Sequence, residues 1–117
     1  MPILFSLDHE VRFYTPGTQG PTTKIKPEEQ EERTIGLLNK FVDWFGGGNI
    51  SMIRGGYKLE SGGRVIEPNQ VITSKASSDD IAKYRGDIIK LAEAKCKEWD
   101  QETIGVEIDG NMHFVGR

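Results

Sequence analysis

Hydrophobic and polar residues alternate along the first part of the chain, as they do in a half-buried β-strand. Over residues 3–14 this alternation predicts one strand, or two, in which Arg12 and Tyr14 share a face. The next stretch, 15–21, contains two prolines and two glycines. Because neither a helix nor a central strand tolerates that density of Pro and Gly, we expect a loop there.

Two segments carry apolar residues at the helical period. The first begins at Pro27, which fits the first turn of a helix, and should end at the glycines that begin with Gly46. The second begins at Ser77, with Asp80 at capping-box spacing. The predicted buried stripes consist of Ile35, Leu37, Leu38, Phe41, Val42, Trp44 and Phe45 in the first helix, and of Ile81, Tyr84, Ile88, Leu91, Ala92, Cys96 and Trp99 in the second.

The stretch between the helices, 46–74, has the order of a β-hairpin. Apolar runs precede and follow a glycine-containing turn at 61–63. Pro68 cannot donate a hydrogen bond to a central ladder, so the second arm should be an edge strand or be bulged at that residue.

The end of the chain completes the predicted order of elements. Residues 104–108 alternate as a strand, and Asp109-Gly110 turns the chain toward a possible last strand. The order β, α, β, β, α, β predicts an α+β fold of the ferredoxin-like type, with two helices on one face of an antiparallel sheet and a possible extra C-terminal strand. We expect residues 1–117 to form a single domain.

The other face of the sheet should also be covered. Adjacent apolar pairs such as Val71 and Ile72 point to opposite faces of a strand. Because both helices already cover one face, a second copy of the chain is the simplest cover for the other, and the sequence predicts a homo-oligomer.

Composition limits the class of protein and of partner. The net charge of −3 argues against binding of long nucleic acids, and no apolar stretch is long enough to span a membrane. The chain has one cysteine and lacks the basic start of a signal peptide, so we expect a cytosolic protein.

The motifs of common enzymes are missing from the sequence. His9, His113 and Cys96 lie on separate elements without the paired spacing of a metal site. There is no GxSxG elbow and no P-loop. We therefore predict no catalytic residues, no metal and no cofactor.

Basic residues concentrate in strands and loops, whereas acidic residues concentrate in the helices. This pattern predicts a locally basic sheet side that binds an anionic, nucleotide-like small molecule, with glycines allowing close approach and tyrosines offering stacking surfaces. Solvated cations that balance the acidic helices are the alternative. The predicted ligand-binding residues are Arg12, Tyr14, Arg54, Tyr57, Lys58 and Arg64.

Three stretches together resemble a family of small uncharacterised bacterial domains. They are Arg12 in the first strand, the hairpin with Arg64 and 67–69, and 101–103 before the last predicted strand. The resemblance implies the fold described above, over residues 11–108, and implies no activity.

These observations lead to three hypotheses for the function. The first is a non-enzymatic oligomeric module that binds an anionic small molecule. The second is a phage or host-conflict accessory protein that acts by protein interaction or by sequestering a signal. The third is a cofactor-independent enzyme on a ferredoxin-like dimer, with His9 or His113 as the base in a cavity between sheet and helices.

Overall fold

The computed structural model describes residues 2–117, with the side chains of Tyr57 and Val65 excepted. Strands and helices alternate along it much as the pattern predicts. The elements are β1 (His9–Pro16), β2 (Thr18–Gln19), β3 (Thr23–Lys24), α1 (Pro27–Phe45), β4 (Asn49–Lys58), β5 (Arg64–Ala76), α2 (Ser78–Glu98), β6 (Thr103–Ile108) and β7 (Asn111–Gly116).

One sheet of five strands has the order β4-β5-β1-β6-β7, and each neighbouring pair is antiparallel. Helix α1 packs on β5 and β1, and α2 packs on β6 and β7. The predicted α+β class with two helices is confirmed, and this strand order is compatible with a ferredoxin-like arrangement. The core lies between sheet and helices and includes Val11, Phe13, Leu37, Phe41, Ile72, Ile88, Cys96, Ile104 and Val106.

Strand β1 begins later than predicted, at His9, and continues into the predicted loop as far as Pro16. Its last residues pair with Asn69 and Gln70 of β5. Pairing across the sheet therefore overrides the local preference for a loop. Residues 2–8 precede the paired part of β1 and belong to no helix or strand.

Helix α1 has the predicted bounds, but its buried stripe is rotated. Ile35 and Val42 are 44% and 41% exposed, so their predicted burial is wrong. Gln30 is buried instead, and its Nε2 donates to the backbone oxygens of Thr15 and Pro68, at 3.1 Å each. The helix turns a hydrogen-bonding residue inward because those two carbonyl groups need a donor.

The hairpin of β4 and β5 turns at Gly62, whose φ of 92° suits glycine. Strand β5 extends beyond the end of β1, because the last residue of β1, Pro16, pairs with Asn69. Pro68 comes just past that pair, where β4 is the neighbouring strand. The missing N–H of Pro68 therefore costs no bond to β1. The prediction that this arm is an edge strand or is bulged at Pro68 is wrong, because β5 lies between β4 and β1 and its register with β4 runs unbroken through Pro68.

Helix α2 starts as predicted, since Ser77 Oγ accepts a hydrogen bond of 3.2 Å from the Asp80 N–H. Burial raises the pKa of the Cys96 thiol, which donates to the Val115 carbonyl at 2.9 Å. Cys96 is thus a packed core residue. Neither α1 nor α2 is apolar enough over its length to cross a membrane.

Candidate functional site

A cleft of about 830 Å³ lies on the open face of the sheet, which is the face turned away from both helices. The outer part of the β4–β5 hairpin forms one wall, and β6 with β7 forms the other. Clefts of this volume bind small molecules. Residues that line the cleft include Tyr14, Ile53, Glu67, Asn69, Gln101, Gly105, Met112 and Phe114.

The floor of the cleft depends on a glycine of β6. A β-carbon placed on Gly105 would lie 3.3 Å from Met112 Sδ and 3.4 Å from Tyr14 Cδ2. The distance to Met112 Sδ is tight, and the distance to the ring carbon is at the short end of ordinary van der Waals contact. The absence of a side chain at Gly105 therefore allows the Tyr14 ring to lie close to the strand.

Glu67 places a buried carboxylate in the wall of the cleft. Its side chain is 4% exposed, and it lies opposite Gly55 in the hairpin. A β-carbon on Gly55 would lie 2.5 Å from Asn69 Nδ2, so the Asn69 amide occupies that space. Glu67 and Asn69 thus present a carboxylate and an amide side by side, which are groups that orient a ligand in an otherwise apolar pocket.

Gln101 fixes the loop that forms the rim of the cleft. Its Nε2 lies 3.2 Å from the Thr18 carbonyl oxygen, 3.1 Å from that of Gly20 and 3.0 Å from that of Trp99. These bonds connect the end of α2 to the β2–β3 loop, where Pro21 lines the cleft. A buried amide with several carbonyl partners makes this rim rigid.

The charges along the cleft are mainly negative. Arg117 Nη2 is paired with Asp100 Oδ1. The predicted basic sheet side is therefore not found at the cleft, whose charge favours a cationic ligand rather than an anion. The acidic lining residues are Glu60, Glu67, Asp100 and Glu102, and the basic ones are Lys58 and Arg117.

The residues predicted to bind a ligand are not brought together. Tyr14 and Lys58 line the cleft. Arg12 lies on the open face, but its Nε is 3.7 Å from Glu10 Oε2 and 3.8 Å from Glu107 Oε2. Those carboxylates hold Arg12 in a surface ion network beside the cleft.

Arg54 and Arg64 lie on the opposite face of the hairpin from Tyr14. Tyr14 shares a face with Val71 and, through it, with Ser51. Side chains alternate between the two faces along a strand. Arg54 comes three residues after Ser51, so its side chain lies on the opposite face from Ser51 and Tyr14. The assumption that the arginines share one sheet side with Tyr14 is wrong for Arg54 and Arg64. The side chain of Tyr57 lies outside the described part of the structure.

The two histidines lie away from the cleft. His9 Nδ1 is 2.7 Å from Asp109 Oδ2, at the beginning of β1. His113 belongs to β7 and pairs in register with Val106. The hypothesis that His9 or His113 acts as a base between sheet and helices is not tested by these contacts and stays a prediction.

The sequence contained one signal for the residues that its motifs missed. The two stretches 67–69 and 101–103 carried the resemblance to small bacterial domains. In the fold, Glu67 and Asn69 lie on one wall of the cleft, and Gln101 lies on its rim. Charge and stacking arguments emphasised arginine and tyrosine and so passed over these residues.

Comparison with known proteins gives matches of structure alone. No family model and no curated protein sequence matches the chain, so the resemblance to small bacterial domains stays a prediction. A phage SAM lyase in complex with S-methyl-5'-thioadenosine superposes with a TM-score of 0.70 at 20% identity, covering 100% of this chain and 95% of that one. The same kind of enzyme in its apo state gives a TM-score of 0.69 at 20% identity with the same coverage.

These matches show that the chain shares its fold, over its full length, with an enzyme. The hypothesis of a non-enzymatic binding module conflicts with that finding and is wrong. The hypothesis of a phage or host-conflict accessory protein that acts by interaction or by sequestering a signal is not tested by a likeness of fold and stays a prediction.

Proposed function

We propose that the chain is a lyase that cleaves S-adenosylmethionine (SAM) and releases S-methyl-5'-thioadenosine. The observation that supports this most is an acidic cleft of small-molecule size on a fold that phage SAM lyases share over its whole length. The phage source of those enzymes agrees with the accessory-protein setting that the sequence suggested.

The charge of the cleft suits this substrate. SAM carries a sulfonium cation and an ammonium group, against one carboxylate. Glu67, buried in the wall, would attract the cationic end. The rings of Tyr14 and Phe114 offer surfaces against which an adenine can stack.

The atoms of the reaction balance without any further reactant. If S-methyl-5'-thioadenosine leaves, the broken bond joins sulfur to the γ-carbon of the methionine part, and its electron pair goes to sulfur. A lyase adds no water, so an atom of the remaining fragment must form the new bond to the γ-carbon. Its carboxylate oxygen can do so by attack on that carbon, which closes a lactone ring and neutralises both charges.

This route needs little chemistry from the protein. The thioether leaves as a neutral molecule and requires no proton. The protein's task is to hold the carboxylate in line with the γ-carbon and to keep water out. Ile53, Met112 and Phe114 give the cleft the apolar surface that favours joining opposite charges. Such a mechanism explains why the sequence shows no catalytic motif, and it corresponds to the cofactor-independent enzyme among the three hypotheses.

The finer features of the fold and assembly also belong to this proposal. We infer a ferredoxin-like βαββαβ unit extended by β7, in a homo-oligomer located in the cytosol. Exposed apolar side chains, among them Met52 at 75% and Ile66 at 71%, support contact with a second copy through the hairpin.

The test is incubation of the purified chain with SAM, followed by chromatography of the nucleosides. The proposal predicts a new peak of S-methyl-5'-thioadenosine that grows as SAM disappears. Conversion no faster than in buffer alone, from a folded preparation, would refute it.

A further inference from the structure

The side chains of Ser78, His9 and Asp109 are joined by two consecutive hydrogen bonds at a place away from the cleft. His9 Nδ1 lies 2.7 Å from Asp109 Oδ2, and His9 Nε2 lies 2.9 Å from Ser78 Oγ. The three residues come from β1, from the first turn of α2 and from the β6–β7 turn. None of them lines the cleft.

The backbone holds Asp109 in place for this contact. Its Oδ1 accepts from the Glu10 N–H at 2.9 Å, and its own N–H donates to the Glu10 carbonyl at 2.9 Å. Asp109 has a φ of 51°, in the left-handed region that Asp tolerates in such turns. Its carboxylate is therefore fixed against the His9 ring.

This arrangement sets the direction of each hydrogen bond. The hydrogen bond from His9 lowers the pKa of Asp109, so the carboxylate stays ionised and can only accept. The His9 proton then lies on Nδ1. In the neutral ring Nε2 is an acceptor, so the Ser78 hydroxyl donates to it.

We propose that Ser78, His9 and Asp109 form a second, hydrolytic site, with Ser78 as nucleophile, His9 as base and Asp109 as the group that orients the ring. The relation of donors and acceptors is that of a serine hydrolase triad, which is recognised by geometry and not by sequence order. Ser78 is exposed and the His9 side chain is 29% exposed, so a substrate can reach both groups.

The start of α2 supplies donors for the oxyanion. Ser77 takes up the N–H groups of Asp80 and Ile81, through its hydroxyl and its carbonyl oxygen. The N–H groups of Ser78 and Asp79 have no partner within the helix, as is general for first-turn residues. They point out of the helix end beside the nucleophile and can stabilise a developing oxyanion.

The surroundings select the class of substrate. Asp79 and Asp80 place carboxylates next to Ser78 in sequence, and these disfavour anionic acyl donors. Glu10 is paired with Lys75, whose Nζ lies 3.1 Å from Glu10 Oε1. Because Ser78 is exposed, the acyl group has to be one that needs no deep pocket. The substrate class is therefore small esters that are neutral or cationic.

The reaction balances with water as the second reactant. The Ser78 proton passes to His9 Nε2 while Oγ bonds to the ester carbonyl carbon. The bond from that carbon to the alcohol oxygen then breaks, and the proton on Nε2 goes to the leaving alcohol. Water repeats the sequence on the acyl-serine, so that one ester and one water give one acid and one alcohol.

The test uses the full chain, with a fluorophosphonate probe and with p-nitrophenyl acetate. Peptide mass spectrometry should find the probe on Ser78, and S78A should lose both label and ester hydrolysis. H9Q should slow labelling by roughly 100-fold, the lower range for loss of a general base. S78A leaves Ser77 to cap α2, so its circular dichroism should match that of wild type.

Ser61, an exposed serine in the hairpin turn, is the internal control. Labelling of Ser78 no faster than labelling of Ser61 would overturn the proposal, as would a rate that H9Q leaves unchanged. D109N gives a second measurement if H9Q does not fold, because Asn also tolerates positive φ. Unchanged labelling in D109N would likewise count against the site. SAM cleavage depends on the cleft, so either activity can fail while the other survives.

Discussion

Glu67 is a buried acidic residue of the cleft, and its role there cannot be read from the composition of the chain. The chain has 18 acidic residues and a net charge of −3. Nothing in the composition distinguishes this glutamate from the other acidic residues. What distinguishes it is its position, with 4% exposure in the wall of a cleft. A buried carboxylate interacts with a bound cation much more strongly than a solvated one does.

We predict that E67Q weakens SAM binding by about 10- to 100-fold. This factor corresponds to about 1.5–3 kcal/mol, the range for a hydrogen bond to a charged group. Calorimetric titration with SAM measures it. The matched control is E31Q, at an exposed position of α1. Equal affinities for the two variants would remove Glu67 from the site.

Gly105 provides a second test at the level of single residues. In G105A the new methyl group would meet Met112 Sδ and the Tyr14 ring at 3.3 and 3.4 Å. Met112 must shift by a few tenths of an ångström and the methyl group fills the floor beside the Tyr14 ring, so we expect weaker binding of S-methyl-5'-thioadenosine, measured by titration.

G86A is the control for G105A. Gly86 lies in α2 with no atom within 4 Å of an added β-carbon. Alanine there should stabilise the helix, by up to about 1 kcal/mol, and leave the affinity unchanged. Equal affinities in G105A and G86A would show that the floor of the cleft at Gly105 is not part of the binding surface.

At the scale of elements, the sequence predicted those with strong local signals. Pro27, Ser77 and the Asp109-Gly110 turn act within a few residues, and each lies where the pattern placed it. The extent of β1 and the burial of Gln30 depend on partners distant in sequence. No local period reveals such partners, so these features were missed.

The same limit applies to the cleft. Its walls come from the hairpin, the α2–β6 loop and β7, which the sequence separates. The predicted site residues share a chemical type but not a location, because strand alternation sends Arg54 to the other face. A correct site required the pairing register, which charge and composition do not encode.

The hydrogen bonds of Asp109 with His9 and Glu10, which join β1 to the β6–β7 turn, should make stability depend on pH. The pKa of Asp109 is lowered in the fold, first by the hydrogen bond from His9 and then by the Glu10 N–H. A lowered carboxylate pKa stabilises the fold above the unfolded value, about 3.9, and that contribution is lost as pH falls through the folded value.

We therefore expect wild type to be more stable than D109N near neutral pH, with the difference shrinking below about pH 4. Urea unfolding at a series of pH values measures it. Asn keeps the turn geometry but can accept only one of the two hydrogen bonds that Asp109 accepts, so the comparison measures the carboxylate charge together with one hydrogen bond. A difference that stays constant down to pH 2 would contradict the role given to this carboxylate.

At the scale of the whole molecule, several of the exposed apolar side chains lie on the β4–β5 hairpin and on β7. Met52, Ile66 and Phe114 are each more than 70% exposed. Met52 and Ile66 lie on one face of the hairpin, and exposed apolar groups on a strand ribbon favour contact with another chain.

We predict a dimer or larger assembly at ~100 μM, far above ordinary dissociation constants. Light scattering across a concentration series measures it. I66K should lower the mass, whereas I35K, at an isoleucine of α1 that is 44% exposed, should not. A wild-type monomer at this concentration would refute the assembly.

The most direct test of the central claim uses SAM labelled on its methyl group. A lyase that breaks the bond to the γ-carbon leaves the methyl group on sulfur, so all the label should appear in S-methyl-5'-thioadenosine. The rate should fall in E67Q and stay at the wild-type value in E31Q. Label in any other molecule, or unlabelled S-adenosylhomocysteine as the nucleoside product, would mean methyl transfer and would contradict the account.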